Sequence, residues 1–185
     1  MKYKKLVRDK IPKVVAVSGG FDPIHPGHIR LIQEAKKLGD KLVVILNNDN
    51  WLRKKKGFVF MPENERREVI EALAGVDKVV LSSHPKNTVD MSVCRELKQI
   101  RPNVFANGGD RKPGNTPEKA LCATINCRMV FSVGRGGKVQ SSSWLLKKHL
   151  GSAPCICGSG KKWKMCIFSN VKKHKKILLL GHASI

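Results

Sequence analysis

The stretch Gly19-Gly20-Phe21-Asp22-Pro23-Ile24-His25-Pro26-Gly27-His28 decides how the rest of the chain is read. An apolar, β-branched run, Val14-Val15-Ala16-Val17, precedes it; Ile29, Ile32, Ala35 and Leu38 follow at helical spacing. A strand therefore feeds a glycine-bearing loop that opens a helix. The helix start offers unpaired N–H groups and the positive end of the dipole, a ready site for an anion. Two imidazoles three residues apart point the same way there, on either side of Gly27, which has no side chain to keep a phosphate from the backbone. The stretch is expected to hold a nucleotide's phosphates; a purely structural histidine pair is the alternative.

Outward from this loop, strand and helix alternate. Strands are expected at 13–18, 41–47, 78–82, 104–106 and 129–133, and helices at 27–38, 63–74, 89–100, 117–124 and 142–149. Continuous apolar strands separated by amphipathic helices predict an α/β, Rossmann-like parallel sheet with helices on both faces. Ligands of such sheets bind at the carboxyl ends of the strands, where the opening loop sits. Residues 48–62 read as a long functional loop carrying the basic run Arg53-Lys54-Lys55-Lys56, either a phosphate lid or solvated charge.

His25-Pro26-Gly27-His28 after Gly-Phe-Asp-Pro resembles the HxGH signature of the nucleotidylyltransferase superfamily, and more specifically its cytidylyltransferase-like branch, which includes glycerol-3-phosphate cytidylyltransferase. Further landmarks follow in family order: Gly39-Asp40-Lys41-Leu42-Val43-Val44, Asp49, the lysine run, Arg66, Val76-Asp77-Lys78-Val79-Val80, Asn107-Gly108-Gly109-Asp110 and Ser141-Ser142-Ser143. The resemblance covers about residues 13–149. It implies catalytic roles for His25, His28, Lys55 and Arg66. It implies nucleotide contacts from Gly20, Phe21, Asp22, Gly27, Asn107, Gly108, Asp110 and Ser141–Ser143. Asp49, Lys54, Lys56 and Arg66 are expected to contact the acceptor.

Each residue has a plainer role available. Arg66 could pair with Glu63 or lay its stem beside Ile70, though its planar fork suits a phosphate. Asp110 could position a metal or cap a turn, and Asp49 could be a turn residue. The serines could simply cap a helix. The chain also departs from the family pattern. Gly57 stands where a relative has another lysine, and Val139-Gln140 replaces the usual Arg and Ile.

The 185 residues suffice for one ordinary domain plus an appendage, and a hydrophobic share of 41% excludes disorder by composition. Residues 1–12 form a basic leader similar to the opening of MazG-like pyrophosphohydrolases, without that family's acidic helices; 13–150 form the nucleotide-binding domain. Residues 151–154 read as a linker, and 155–185 as a basic tail. Cys155, Cys157 and Cys166 there resemble the SEC-C motif, a small zinc-binding appendage whose fourth ligand is undetermined: Ile167 stands where a Cys or His is usual.

Net charge is +22, and no Asp or Glu follows Glu118. That balance favours anionic partners: nucleotides and phosphorylated acceptors, with RNA or an acidic protein at the tail. Ile177-Leu178-Leu179-Leu180 is too short to span a bilayer, no secretory signal is visible, and the six cysteines do not form a disulfide scaffold. A cytoplasmic protein is expected. The resemblance implies transfer of a cytidylyl group from CTP to a phosphorylated alcohol or sugar, releasing pyrophosphate, with Mg2+ and a homodimer. Adenylyl transfer within the same superfamily is the alternative, and a nucleotide-binding adaptor working through its tail is the alternative from another class.

Overall fold

The computed structural model describes residues 11–109, 111–134, 142 and 145. Its elements are β1 (Val14–Gly19), α1 (Pro26–Lys36), β2 (Lys41–Leu46), α2 (Asp49–Lys56), α3 (Glu63–Glu71), β3 (Lys78–Leu81), α4 (Cys94–Ile100), β4 (Val104–Gly108), α5 (Lys119–Thr124) and β5 (Arg128–Val133). All five strands are parallel, in the order β3-β2-β1-β4-β5. The chain runs from β1 outward to β3, then crosses to β4 on the other side of β1. The switch point is therefore between β1 and β4, where parallel sheets bind ligands.

Strand alternation builds a core on each face. Val15, Val17, Leu42, Val44 and Leu46 pack under Ile32 and Ala35 of α1 and Ile70 of α3. Ala16, Ile45 and Phe105 pack on the opposite face with Leu97 of α4 and Cys122 of α5. Each such aliphatic side chain contributes roughly 2 kcal/mol through burial. Both faces are covered, and this is why the strands read as unbroken apolar runs.

Several expected boundaries move, among them the end of the helix expected at 63–74, which closes at Glu71. Residues 48–62 are not one long loop. Asn48 accepts a hydrogen bond from the Trp51 amide, Leu52 is fully buried, and Gly57 closes the last turn at φ 87°, so 49–56 is helical. The basic run lies on that last turn, where cations suit the helix dipole. The expected helix 89–100 begins only at Cys94, because Asp90 Oδ1 accepts from the Ser92 amide and turns the chain first. The helix expected from Pro117 starts at Lys119. Of 142–149, Ser142 and Leu145 are described and are helical. The leader up to residue 10, the linker and the Cys-containing tail lie outside the described residues.

Candidate active site

His25 is the N-cap of α1, and its Nδ1 accepts from the Gly27 amide at 3.1 Å. Pro26 follows at the first helical position, where no N–H is required. Because Nδ1 accepts, a neutral His25 carries its proton on Nε2 and presents that N–H as a donor. His28 stacks on His25 with ring centroids 3.7 Å apart, and Phe21 meets His28 edge-on at 4.8 Å. The His28 Nδ1 is buried and has no partner among the described residues. Histidines kept for stability alone normally have their buried nitrogens bonded. A Cβ on residue 27 would lie 2.9 Å from His25 Cε1. Gly27 therefore makes room for the His25 ring, a different reason from the phosphate approach expected of it.

Both imidazoles are held neutral. Burial, then the charges of His25 and Lys56, pushes the His28 pKa down to about 3. Burial and Lys56 also lower that of His25. Lys56 is the cation at this corner: its Nζ donates to the Asp22 carbonyl at 2.5 Å. Its own pKa is lowered chiefly by burial; Asp22 opposes that shift and Arg66 adds to it. Two neutral N–H donors and a desolvated ammonium suit a polyanion, whose arrival would raise all three pKa values. Lys54 and Lys55 are exposed on α2. The lysine brought to the histidine pair is thus Lys56 rather than Lys55.

Arg66 is not an open phosphate clamp. Only 1% of it is exposed. Its Nε donates to Met61 O (2.7 Å), its Nη1 to Gly20 O (2.7 Å) and Asn47 O (2.8 Å), and its Nη2 to Asp49 Oδ1 (2.7 Å). The expected pairing with Glu63 is not what engages it. Asp49, expected at the acceptor, is occupied by Arg66 and lies 3.7 Å from Arg53. Asp22 is fully buried, and its two carboxylate oxygens accept from the Phe60 and Met61 amides. Gly20 sits against Leu52, where a Cβ would meet Cδ2 at 2.8 Å. Arg66, Asp22 and Gly20 thus form a bracket that fastens α2, and with it Lys56, to the histidine loop.

Across the switch point, Asn107 is buried, donates to Phe105 O and accepts from Arg111 at 3.3 Å. Gly108 ends β4 beside Leu31 of α1. Ser142 Oγ donates to Pro23 O at 2.9 Å, which brings this serine to the histidine loop. Asp110, Ser141, Ser143, Cys155, Cys157 and Cys166 lie outside the described residues.

Sequence reasoning overlooked Trp51, whose indole N–H donates to Met91 O at 2.9 Å while its ring lies near Gly20. It also overlooked Glu118, buried and accepting from the Val93 amide. No signal singled out Glu118; Trp51 was visible as an aromatic residue just after a cap. Among the described residues no cluster of His, Cys, Asp or Glu is arranged to hold a metal. At the histidine corner both Asp22 oxygens already accept amide hydrogen bonds.

Fold and corner together define an α/β, Rossmann-like domain with a stacked histidine pair at the start of its first helix. A family model described as cytidylyltransferase-like matches residues 16–120, and the chain belongs to that family. An FAD synthase of Ferroglobus placidus is 41% identical over 99 residues, 54% of this chain and 60% of that protein. An FAD synthase of Archaeoglobus fulgidus is 40% identical over 115 residues, 61% of this chain and 79% of that protein. A bifunctional protein HldE of Desulfatibacillum aliphaticivorans is 36% identical over 121 residues, 64% of this chain but 24% of that protein. The crystal structure of a lipopolysaccharide core biosynthesis protein from Thermoplasma volcanium superposes with a TM-score of 0.55 at 29% identity, covering 66% of this chain and 98% of that one. Among the described residues no helix is long and apolar enough to cross a membrane.

Proposed function

We propose that the chain transfers an adenylyl group from ATP to a phosphorylated small molecule and releases pyrophosphate. The observation that carries this is the neutral, stacked His25–His28 pair with Lys56 beside it, at the start of α1 and next to the switch point. The base is the finer part of the reading. The sequence resemblance favoured CTP, whereas relatives named FAD synthase favour ATP, because FAD is FMN carrying an added AMP.

An oxygen of the acceptor's phosphate attacks the α-phosphorus. The bond from that phosphorus to the bridging oxygen breaks, and its electron pair leaves with pyrophosphate. The attacking oxygen is already anionic, so no strong base is needed. The chain contributes positioning and charge stabilisation. The Nε2–H of His25 and the His28 ring donate toward phosphate oxygens, and Lys56 neutralises the charge gathering on them. The buried Arg66–Asp22 bracket holds these groups in register and does not touch substrate. Magnesium enters as part of the metal–nucleotide substrate.

The test is pyrophosphate release from MgATP or MgCTP, each offered FMN, glycerol 3-phosphate and a set of sugar phosphates. ATP with one of these acceptors should give release, and labelled α-phosphate should appear in the product. No release with any pair overturns the reading, and faster release from CTP than from ATP overturns its choice of base.

A further inference from the structure

Every strand of the sheet has a cation at its start. Lys41, Lys78 and Arg128 are the first residues of β2, β3 and β5, Lys13 immediately precedes β1, and Arg101 lies just ahead of β4. All five are exposed. Because the strands are all parallel, their starts fall at one end of the sheet, away from the histidine loop that follows β1. The register keeps them side by side. Val14 is level with Lys41, Val15 with Val104 and Val104 with Arg128, while Lys78 faces Val43, a little further into β2.

The carboxylates at this end are already engaged. Asp40 Oδ2 accepts from the Lys13 amide at 2.6 Å, and Asp77 Oδ2 accepts from Lys36 Nζ and the Leu42 amide, both at 2.6 Å. On the flanking helices Glu34 pairs with Lys37 and Glu71 with Arg67. Lys41, Lys78, Arg101 and Arg128 make no ion pair among the described residues. Helix C-termini also favour cations, but that effect fades within the last turn. It covers Lys36 and Lys98, not Lys41, Lys78 and Arg128 beyond the loops.

Four spacings across five strands come to about 19 Å. One strand of a duplex carries a phosphate about every 3.4 Å of axis, so the row matches about five phosphates. Single-stranded nucleic acid is held by stacking its bases on exposed aromatic rings. Phe60, the exposed aromatic residue among those described, lies instead at the histidine loop, where its amide bonds Asp22. We infer that this end of the sheet docks the phosphate backbone of a nucleic-acid duplex, with Lys13, Lys41, Lys78, Arg101 and Arg128 as its contacts. Contacts of this kind position a protein without reading sequence. The surface stands independently of the nucleotidyl-transfer reading.

The test is fluorescence anisotropy of a short labelled DNA duplex of mixed sequence, titrated with the full chain over a salt series. A fourfold variant, Lys41→Gln, Lys78→Gln, Arg101→Gln and Arg128→Gln, should lower the slope of log K against log salt by about 3 to 4, close to one per cation. Its affinity at fixed low salt should fall at least about tenfold. A control variant, Arg30→Gln, Lys86→Gln, Arg95→Gln and Lys119→Gln, removes the same charge from exposed positions elsewhere on the domain. It should change the slope by less than about one. If the fourfold variant melts early, the pairs Lys41→Gln with Lys78→Gln and Arg101→Gln with Arg128→Gln should each give half the change. Equal losses in the fourfold and control variants, which would report net charge alone, overturn the inference. So does an unchanged slope in the fourfold variant, or no binding by the wild type. Polyglutamate bound more tightly than the duplex through the same row would mark a docking site for an acidic protein and overturn it too.

Discussion

Replacing Arg66 with methionine tests the bracket. Methionine keeps most of the packed stem and removes the guanidinium. The change leaves the carbonyls of Gly20, Asn47 and Met61 without this donor and strands the Asp49 carboxylate, whose side chain is 17% exposed. Removing one member of a buried ion pair costs about 3–5 kcal/mol. The three lost carbonyl bonds belong to the same group and do not add fully. The residual contact from Arg53 at 3.7 Å is long and solvent-facing, so it recovers little. For a domain of this size, at roughly 4 °C per kcal/mol, the melting temperature should fall by about 12–20 °C. Arg66→Lys keeps the charge but not the fork and should fall between the two. Thermal and urea denaturation of the wild type and both variants measure this. A loss below about 1 kcal/mol with a large rise in acceptor KM would refute the bracket and restore Arg66 as a substrate clamp.

His28→Ala should lower kcat by about 100- to 1,000-fold, as for removal of one donor to developing charge, with ATP affinity within a few fold by calorimetry. Lys56→Met should reduce turnover severely, whereas Lys55→Met, on the exposed face of α2, should leave it near wild type; steady-state kinetics of the two variants decide. Stability should fall as pH drops from about 6.5. Within that window the unfolded histidines take up a proton that folded His28, with its pKa near 3, refuses. The slope is up to about 1.4 kcal/mol per pH unit for each such histidine. Above about 6.5 both states are neutral and the effect vanishes, and His28→Gln should flatten the slope in urea titrations between pH 6.5 and 4.5. Asp77 and Asp90, whose pKa values are lowered by hydrogen bonds, add their own loss only below the ordinary carboxylate range.

The parallel sheet was legible because burial on both faces leaves its strands as uninterrupted apolar runs, and the histidine loop because strand, glycines and helix start adjoin in sequence. Helix α2 was hidden by its composition. Arg53 to Lys56 reads as solvated charge until Asn48 and Gly57 are recognised as its caps. Lys56 lies four residues after buried Leu52 and donates to Asp22 O, whereas Lys55, three after Leu52 and equally allowed by spacing, is exposed, so only the structure separates the two. The role of Arg66 could not be read from spacing. Its partners are carbonyls of residues 20, 47 and 61, and backbone acceptors leave no mark on a sequence. The late start of α4 belongs to the same class: Val89 continues an apolar pattern, but the Asp90–Ser92 turn delays the helix.

The most direct measurement is nitrogen-15 NMR of the histidine rings, assigned with His25→Gln and His28→Gln, before and after addition of a non-hydrolysable MgATP analogue. At neutral pH both rings should be neutral, His25 should carry its proton on Nε2, and both should shift together when the analogue binds. Analogue binding that leaves the two rings unmoved, or a His28 that titrates near 6.5 in the free protein, would contradict the assignment of this pair to the triphosphate.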